Sequence, residues 1–356
     1  MKGELERTLT SLAAPMELVS VEERQRVRCL ACAHRCLVPP GSSGVCKVRF
    51  NREGTLFGPR GYVSGLQNDP VEKKPFFHVL PGTDAMSFGM LGCCFHCSFC
   101  QNWLSSQALR DEAAGAAIRR IEAREIVALA RSHGSSLIAS TYNEPLITTE
   151  WAVEVFRLAQ AAGLRTAFVS NGYNTGEGLD YLRPWLDVCN VDLKCFNDAT
   201  YRKLGGRLQP VLDGIQRLYR AGVWVEVVSL IVPGMNDTDR ELRAMAGFIA
   251  EISQDIPWHV TAFYPTYRMQ DRQGTPLESL VRAWRMGQEV GLRHIYPGNT
   301  RGQLEGMDNT VCPHCRALLV ERRGYSLLKN RLQDGRCPDC QAEIPGRWHA
   351  GTGSPG

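Results

Sequence analysis

Three cysteines, Cys93, Cys97 and Cys100, lie in the run Gly92-Cys93-Cys94-Phe95-His96-Cys97-Ser98-Phe99-Cys100-Gln101-Asn102, directly after the apolar stretch Ala85 to Leu91. Thiolates spaced CxxxCxxC on a loop leaving a strand can hold three corners of a cubane 4Fe-4S cluster, which leaves the fourth iron without a protein ligand. Such an open iron is a reaction site. Zinc and plain burial are the competing readings, since cysteine is among the most buried residue types. Zinc knuckles, however, usually pair one CxxC with another or with histidine, whereas the extra thiol here, Cys94, immediately follows Cys93.

Two further sets of thiols flank this loop. Cys312-Pro-His-Cys315 and Cys337-Pro-Asp-Cys340 are CxxC knuckles separated by 21 residues, each with proline after the first thiol. Four thiolates in that arrangement make a closed tetrahedral site of the zinc-ribbon or rubredoxin type, expected to hold structural zinc with iron as the rival. Cys29, Cys32, Cys36 and Cys46 form an auxiliary metal site, with Gly41 to Gly44 supplying the turns that bring Cys46 back and His34 as an extra donor. A second iron-sulfur cluster for electron relay and a structural zinc both fit those four thiols.

The chain has 356 residues and 14 cysteines, a formal net charge of +4, and charged residues that alternate in sign along most predicted helices. The first twenty residues carry Lys2, Glu4, Glu6 and Arg7 with no continuous apolar segment, so no secretory leader is expected. No stretch approaches the roughly 20 apolar residues of a membrane span. Thiol-rich chains of a reducing, cytoplasmic compartment use their cysteines for metals or redox chemistry. The charge pattern gives no reason to invoke nucleic acid or membrane, and the basic run Arg322-Arg323, Lys329, Arg331, Arg336 reads as a solvated face.

Between 83 and 303, short β-branched runs alternate with helical patterns. Strands are predicted at 85–90, 136–142, 166–171, 187–193, 223–231, 259–264 and 293–297, and helices at 122–133, 146–162, 176–185, 208–221, 237–252 and 276–290. Val153, Phe156 and Ala159 before Gly163 illustrate the helical spacing and its stop. Such alternation implies an α/β fold with a parallel sheet and outer helices, here a partial (β/α)6 TIM-like barrel, since six units are too few for a full eight-fold one. Residues 1–82 form the Cys-rich N-terminal segment, 304–345 the C-terminal zinc-ribbon-like module and 346–356 a disordered tail.

Polar motifs fall at the carboxyl ends of the predicted strands, where chemistry gathers in such folds. Ser140-Thr141-Tyr142-Asn143-Glu144-Pro145 offers a carboxylate and amide able to hold an ammonium group. It reads equally as a helix start, with Asn143 capping and Pro145 in the first turn. Val169-Ser170-Asn171-Gly172-Tyr173 could meet a ribose or carboxylate, or be an ordinary strand-to-helix turn. Asp192 and Lys194 share one strand face, a costly pair to bury without use. His259 follows Trp258 and precedes Phe263-Tyr264-Pro265, and Tyr296-Pro297-Gly298-Asn299 ends the last strand.

These motifs resemble those of radical S-adenosylmethionine (SAM) enzymes, in which SAM chelates the open iron and is cleaved to a 5'-deoxyadenosyl radical. Thr141-Tyr142-Asn143-Glu144-Pro145 is similar to the amino-group motif in one branch of relatives of the pyruvate formate-lyase activating enzyme, and Asp192 with Lys194 and Trp258-His259 have counterparts there. Val27 to Cys36, Gly44 to Arg49, Asp69 to Pro75 and Leu80-Pro81-Gly82 resemble the radical-SAM component of the AmmeMemoRadiSam system, over residues 25–345. Two departures stand out: Cys94 replaces a usual asparagine, and Tyr264-Pro265-Thr266-Tyr267-Arg268 stands where relatives show His-Pro-Asp-Tyr-Lys.

The resemblance implies an oxidoreductase of the activating-enzyme type. Cys93, Cys97 and Cys100 would bind the cluster, while Tyr142, Asn143, Glu144, Ser170, Asn171, Asp192, Lys194 and His259 position SAM and Phe99 packs beside its adenine. It implies a reductant such as flavodoxin or ferredoxin, and a substrate that is a partner protein, one of the other AmmeMemoRadiSam proteins among them, or a small molecule. A glycyl-radical activase needs a mouth wide enough for a peptide loop, so an opening plugged by residues 1–80 would count against it. The rival reading is a non-catalytic zinc-binding scaffold, which leaves the strand-end motifs unexplained.

Overall fold

The computed structural model describes residues 2–350, with side chains from residue 5 onward. Its centre is an eight-stranded sheet: β1 (Gly65–Pro70), β2 (Asp84–Gly89), β3 (Leu137–Ser140), β4 (Arg165–Ser170), β5 (Val188–Asp192), β6 (Trp224–Ile231), β7 (Trp258–Ala262) and β8 (Ile295–Gly298). Strands β2 to β8 are parallel and lie in chain order; β1 joins β2 antiparallel as an edge. Parallel neighbours require crossovers, and these are the helices α1 (Ala123–Ser132), α2 (Thr149–Ala161), α3 (Gly176–Leu182), α4 (Leu208–Arg220), α5 (Asp239–Ile252) and α6 (Leu277–Glu289). Because both faces of such a sheet are covered, the strands are nearly continuous apolar runs, as in Val223 to Val228.

One boundary differs in kind. The expected helix at 146–162 starts as a 3-10 turn, Pro145–Thr148, and becomes α2 only at Thr149. Its cap is Glu144, whose carboxylate accepts from the Leu146 amide at 3.1 Å; Asn143 instead accepts from the Met90 amide at 2.9 Å. No described helix is long and apolar enough to cross a membrane.

Strand alternation aims every second side chain inward, and the lower part of that inner face is filled. Val71, Phe76, Val79 and Leu80 pack against Ala85, Leu137, Ala139, Ala167 and Val188. This plug is anchored by polar contacts to the amino ends of the strands. Glu226 of β6 accepts the backbone amides of Phe77 (3.0 Å) and His78 (2.9 Å), and Asn190 of β5 donates to the Pro75 carbonyl at 2.6 Å. The upper part, toward the carboxyl ends, remains open as a cavity.

The C-terminal strands β9 (Thr310–Val311), β10 (Leu318–Arg323) and β11 (Ser326–Asn330) form a small antiparallel sheet behind the plug. Arg322 departs from the solvated reading of the basic run: its fully buried guanidinium stacks over Phe77 at 4.4 Å and donates to the Phe77 carbonyl at 2.7 Å. Residues 346–350, expected within the disordered tail, are instead fastened to the plug, the Arg347 amide donating to the His78 carbonyl at 2.7 Å and the Leu80 amide to the Arg347 carbonyl at 2.9 Å. Residues 351–356 of that tail lie outside the described residues.

The N-terminal cysteines sit among short strands, Val19–Val21, Val27–Cys29 and Leu37–Val38, which dock on α2 through Arg49. The Arg49 guanidinium, 1% exposed, forms a two-pronged pair with Glu150 and donates to the Ile147 carbonyl at 2.8 Å. Truncating one partner of a buried pair strands the other charge at about 3–5 kcal/mol. Arg49→Met therefore lowers apparent unfolding free energy in urea by that amount, and adding Glu150→Leu recovers most of it. Equal losses in the single and double variants would contradict the pairing.

Candidate functional site

A cavity of about 420 Å³ opens at the carboxyl ends of the parallel strands. Cys93, Cys97 and Cys100 line one side, and Glu144, Asn171, Asp192, Lys194 and His259 line the others. It reaches the surface beside exposed Lys73, Gln101, Asn102 and Tyr325.

The cysteine loop leaves β2 through Gly92, whose φ of +93° is a conformation glycine adopts without strain. A side chain there would also press on Val48 at 2.9 Å and on the Cys46 carbonyl at 3.2 Å. Beyond it, Gln107 and Arg110 donate to the Phe95 carbonyl at 3.2 and 2.7 Å, and the His96 amide donates to the Leu204 carbonyl at 2.9 Å. The loop is thus held from both flanks. Burial pushes the Cys97 thiol well up, against the pull of Lys194, and raises that of Cys100. A metal that binds them must displace their protons.

Cys94 takes no part in the cavity lining. Its buried sulfur accepts from the Asn171 side chain at 3.2 Å, and its carbonyl meets His34 Nε2 of the N-terminal segment at 3.2 Å.

Glu144 is the centre of the polar wall. Its carboxylate receives the Ser170 hydroxyl at 2.7 Å, the Asn171 amide at 2.8 Å and the Leu146 amide at 3.1 Å. Burial nonetheless raises its pKa to about 7, with the negative Asp192 adding to the effect. Ser170 thus holds Glu144 rather than lining the cavity. Tyr142 bends the chain here with a φ of +72° and receives a hydrogen bond from Lys74 at 3.1 Å. Gly89 of β2 permits this turn, since a side chain at that position would stand 2.5 Å from the Thr141 carbonyl.

On the facing wall, Lys194 Nζ pairs with Asp192 at 3.0 Å and lies 6.0 Å from the Phe99 ring centre. Asp192 keeps it charged despite burial, raising its pKa. His259 points inward, but its Nε2 meets Glu226 at 2.6 Å and its ring stands edge-on to Phe77 at 4.9 Å. The floor of the cavity is thereby tied to the plug.

Glu226, Phe77, Lys74 and Tyr325 were not anticipated. A signal existed for Glu226, a lone charge in Trp224-Val225-Glu226-Val227-Val228, in inward register with Val228. Phe77 and Tyr325 carried none, because only the chain's return through the sheet base and the β10–β11 turn bring them here.

The C-terminal thiols converge away from this cavity. Cys312 and Cys340 sulfurs lie 3.6 Å apart, as do those of Cys315 and Cys337, and all four are within 4.8 Å of one another. A tetrahedral ion with metal–sulfur bonds of about 2.3 Å puts its sulfurs about 3.8 Å apart. The knuckles are built alike: the Arg316 amide donates to the Cys312 carbonyl at 3.0 Å and the Gln341 amide to the Cys337 carbonyl at 2.9 Å. This set can hold a single metal ion.

The model of the radical SAM superfamily matches residues 89–249. An uncharacterized protein of Methanocaldococcus jannaschii is 35% identical over 323 residues, 90% of this chain and 95% of its own. A pyruvate formate-lyase-activating enzyme of Clostridium pasteurianum is 26% identical over 188 residues, 50% of this chain and 76% of that enzyme. Among solved structures, a radical SAM methyltransferase from Sphaerobacter thermophilus aligns with a TM-score of 0.49 at 16% identity, over 88% of this chain and 85% of that one. The family's model spans the cysteine loop, Glu144 and the Asp192–Lys194 pair, and the archaeal relative aligns over nearly its whole length: the chain belongs to the radical SAM superfamily and is homologous to pyruvate formate-lyase activating enzymes.

Proposed function

We propose that this protein reductively cleaves SAM at a 4Fe-4S cluster held by Cys93, Cys97 and Cys100, in the manner of the activating enzymes. The observation that carries the reading is the convergence of those three thiols with Glu144, Asp192 and Lys194 on one cavity. The residues fit both groups: thiols spread too widely for one ion line one wall, and a buried carboxylate suited to an ammonium lines another. When bound, the cluster supplies the electron that splits the sulfonium into methionine and a 5'-deoxyadenosyl radical.

Around it, each group of the chain has a separable task. Glu144, held by Ser170 and Asn171, receives the SAM ammonium, with Tyr142 and Asn143 shaping the turn; Lys194, kept charged by Asp192, meets the carboxylate. Phe99 packs beside the adenine and His259, fixed by Glu226, bounds the pocket floor. The parallel sheet and its helices constitute the partial (β/α)6 barrel, and the C-terminal thiols a zinc ribbon. The protein works in the cytoplasm with a flavodoxin- or ferredoxin-like donor, as the radical-SAM component of an AmmeMemoRadiSam system, on a protein or small-molecule substrate. The plug of residues 75–80 lies at the amino ends of the strands, so it leaves the mouth beside the cysteine loop available to either.

Anaerobic reconstitution followed by incubation with dithionite and SAM is expected to give 5'-deoxyadenosine. A protein that takes up only zinc and leaves SAM intact would overturn the reading and favour the zinc-binding scaffold.

The raised pKa of Glu144 has a direct consequence. Above about pH 7 the carboxylate is already ionised and pairs with the ammonium; below it, binding must first remove a proton. SAM affinity therefore falls with acidification below about pH 7, by up to about tenfold per pH unit. Titration calorimetry of the wild type and of Glu144→Gln, whose weaker binding should not vary over this range, checks the assignment. An unchanging wild-type affinity would remove Glu144 from the ammonium site.

A further inference from the structure

The N-terminal cysteines are poised against the cysteine loop in two places. His34, two residues after Cys32, meets the carbonyl of Cys94, the chain neighbour of Cys93, at 3.2 Å. The Cys46 carbonyl lies 3.2 Å from where a side chain at Gly92 would begin. Backbone contacts gather the four cysteines: the Cys29 amide donates to the Cys36 carbonyl at 2.9 Å, the Arg35 amide to the Cys32 carbonyl at 3.0 Å, and the Val45 amide, next to Cys46, to the Cys36 sulfur at 3.5 Å.

Their spread separates two metals. Among the described residues, the C-terminal thiols alone fall within 4.8 Å of one another; no three of Cys29, Cys32, Cys36, Cys46 and Cys94 do so. In this they match Cys93, Cys97 and Cys100. A single zinc ion draws its sulfurs to about 3.8 Å, whereas a multi-iron core stands between its ligands and holds them further apart. Donors already face these sulfurs, the Val45 amide at 3.5 Å from Cys36 and Arg49 Nη1 at 4.0 Å from Cys29. Such hydrogen bonds and local charge are what tune cluster potentials.

We propose that Cys29, Cys32, Cys36 and Cys46 hold a second, redox-active 4Fe-4S cluster that adjoins the first through the turn from Cys32 to His34 and Cys94. This rests on the reading of Cys93, Cys97 and Cys100 as ligands of the first. A low-potential one-electron donor reduces the second cluster by one electron, and that cluster returns to its oxidised state as the first gains the same electron; no bond or proton moves. Cys36 is partly exposed and is flanked by the exposed Leu37 and Val45, so a donor can approach this site from solvent.

Metal analysis of the full chain after anaerobic reconstitution tests this without any variant. About eight irons per chain are expected, four for each 4Fe-4S cluster, with one further metal at the C-terminal thiols. About four irons and two zinc ions would overturn the proposal. Cys93→Ala/Cys97→Ala/Cys100→Ala should keep about four irons and a paramagnetic resonance signal after dithionite, both lost on adding Cys32→Ala/Cys46→Ala. If the triple variant instead holds as much iron as the wild type, the first-cluster reading fails and the second site stands. The fully reduced wild type should give a spectrum broadened beyond the sum of the separate clusters, because neighbouring spins couple. A simple sum would overturn the adjacency through Cys94.

Discussion

Cys97→Ala should bring 5'-deoxyadenosine formation down to the level of protein-free buffer, with the loss of one cluster's iron. Cys189→Ala, which removes an equally buried thiol, should keep both. The difference lies in direction rather than burial. Cys97 faces the cavity between Cys93 and Cys100, under the influence of Lys194, whereas Cys189 points out of the other face of β5 into the packing of Leu179, Leu182 and Leu218. A thiol with a pKa raised by burial is protonated in the free protein, so its part in the site depends on metal displacing that proton. Iron and product assays on the two variants decide the matter. Product from a Cys97→Ala protein would mean that the cysteine loop is not the cluster site.

Glu226→Ala should lower the unfolding free energy by at least about 3 kcal/mol, since each buried donor left without a partner costs about 1–3 kcal/mol. Four donors converge on this carboxylate: the amides of Phe77 and His78, the Trp224 indole at 3.2 Å and His259 at 2.6 Å. The loss should extend to function. With Phe77 and His259 both released, the floor of the cavity is no longer defined, and SAM should bind more weakly even where the variant remains folded. Urea unfolding and SAM titration measure the two effects separately. A variant with wild-type stability would mean that the plug is held by its apolar contacts with Leu137, Ala139 and Val188 alone.

Much of the architecture was readable because its signals are local. The alternation of β-branched runs with helical spacing located β2 to β8 and α1 to α6 to within a few residues, since parallel strands covered on both faces must be apolar throughout. The CxxxCxxC loop and the two CxxC knuckles were legible for the same reason: thiols close together in the chain leave a spacing that can be read. Glu144, Asp192 and Lys194 were found because polar residues at the ends of apolar strands are conspicuous.

Other features depend on contacts between residues far apart in the chain. Asn143 has the composition of a cap, yet Glu144 caps the 3-10 turn while receiving Ser170, because the Met90 amide already occupies Asn143. Arg322 belongs to a basic run that looks solvated, and it is buried because Phe77 and Glu72 reach it from 245 and 250 positions earlier.

The sequence by itself determined the parallel sheet with its outer helices, the three thiol sets and the strand ends on which polar groups gather, since periodicity and spacing are properties of the chain. Tertiary structure alone decided that Cys94 meets Asn171, that residues 75–80 return to fill the base of the sheet, and that the C-terminal strands fasten that plug from behind. Those outcomes follow from how buried polar groups find partners across the fold, and no local pattern encodes the partner.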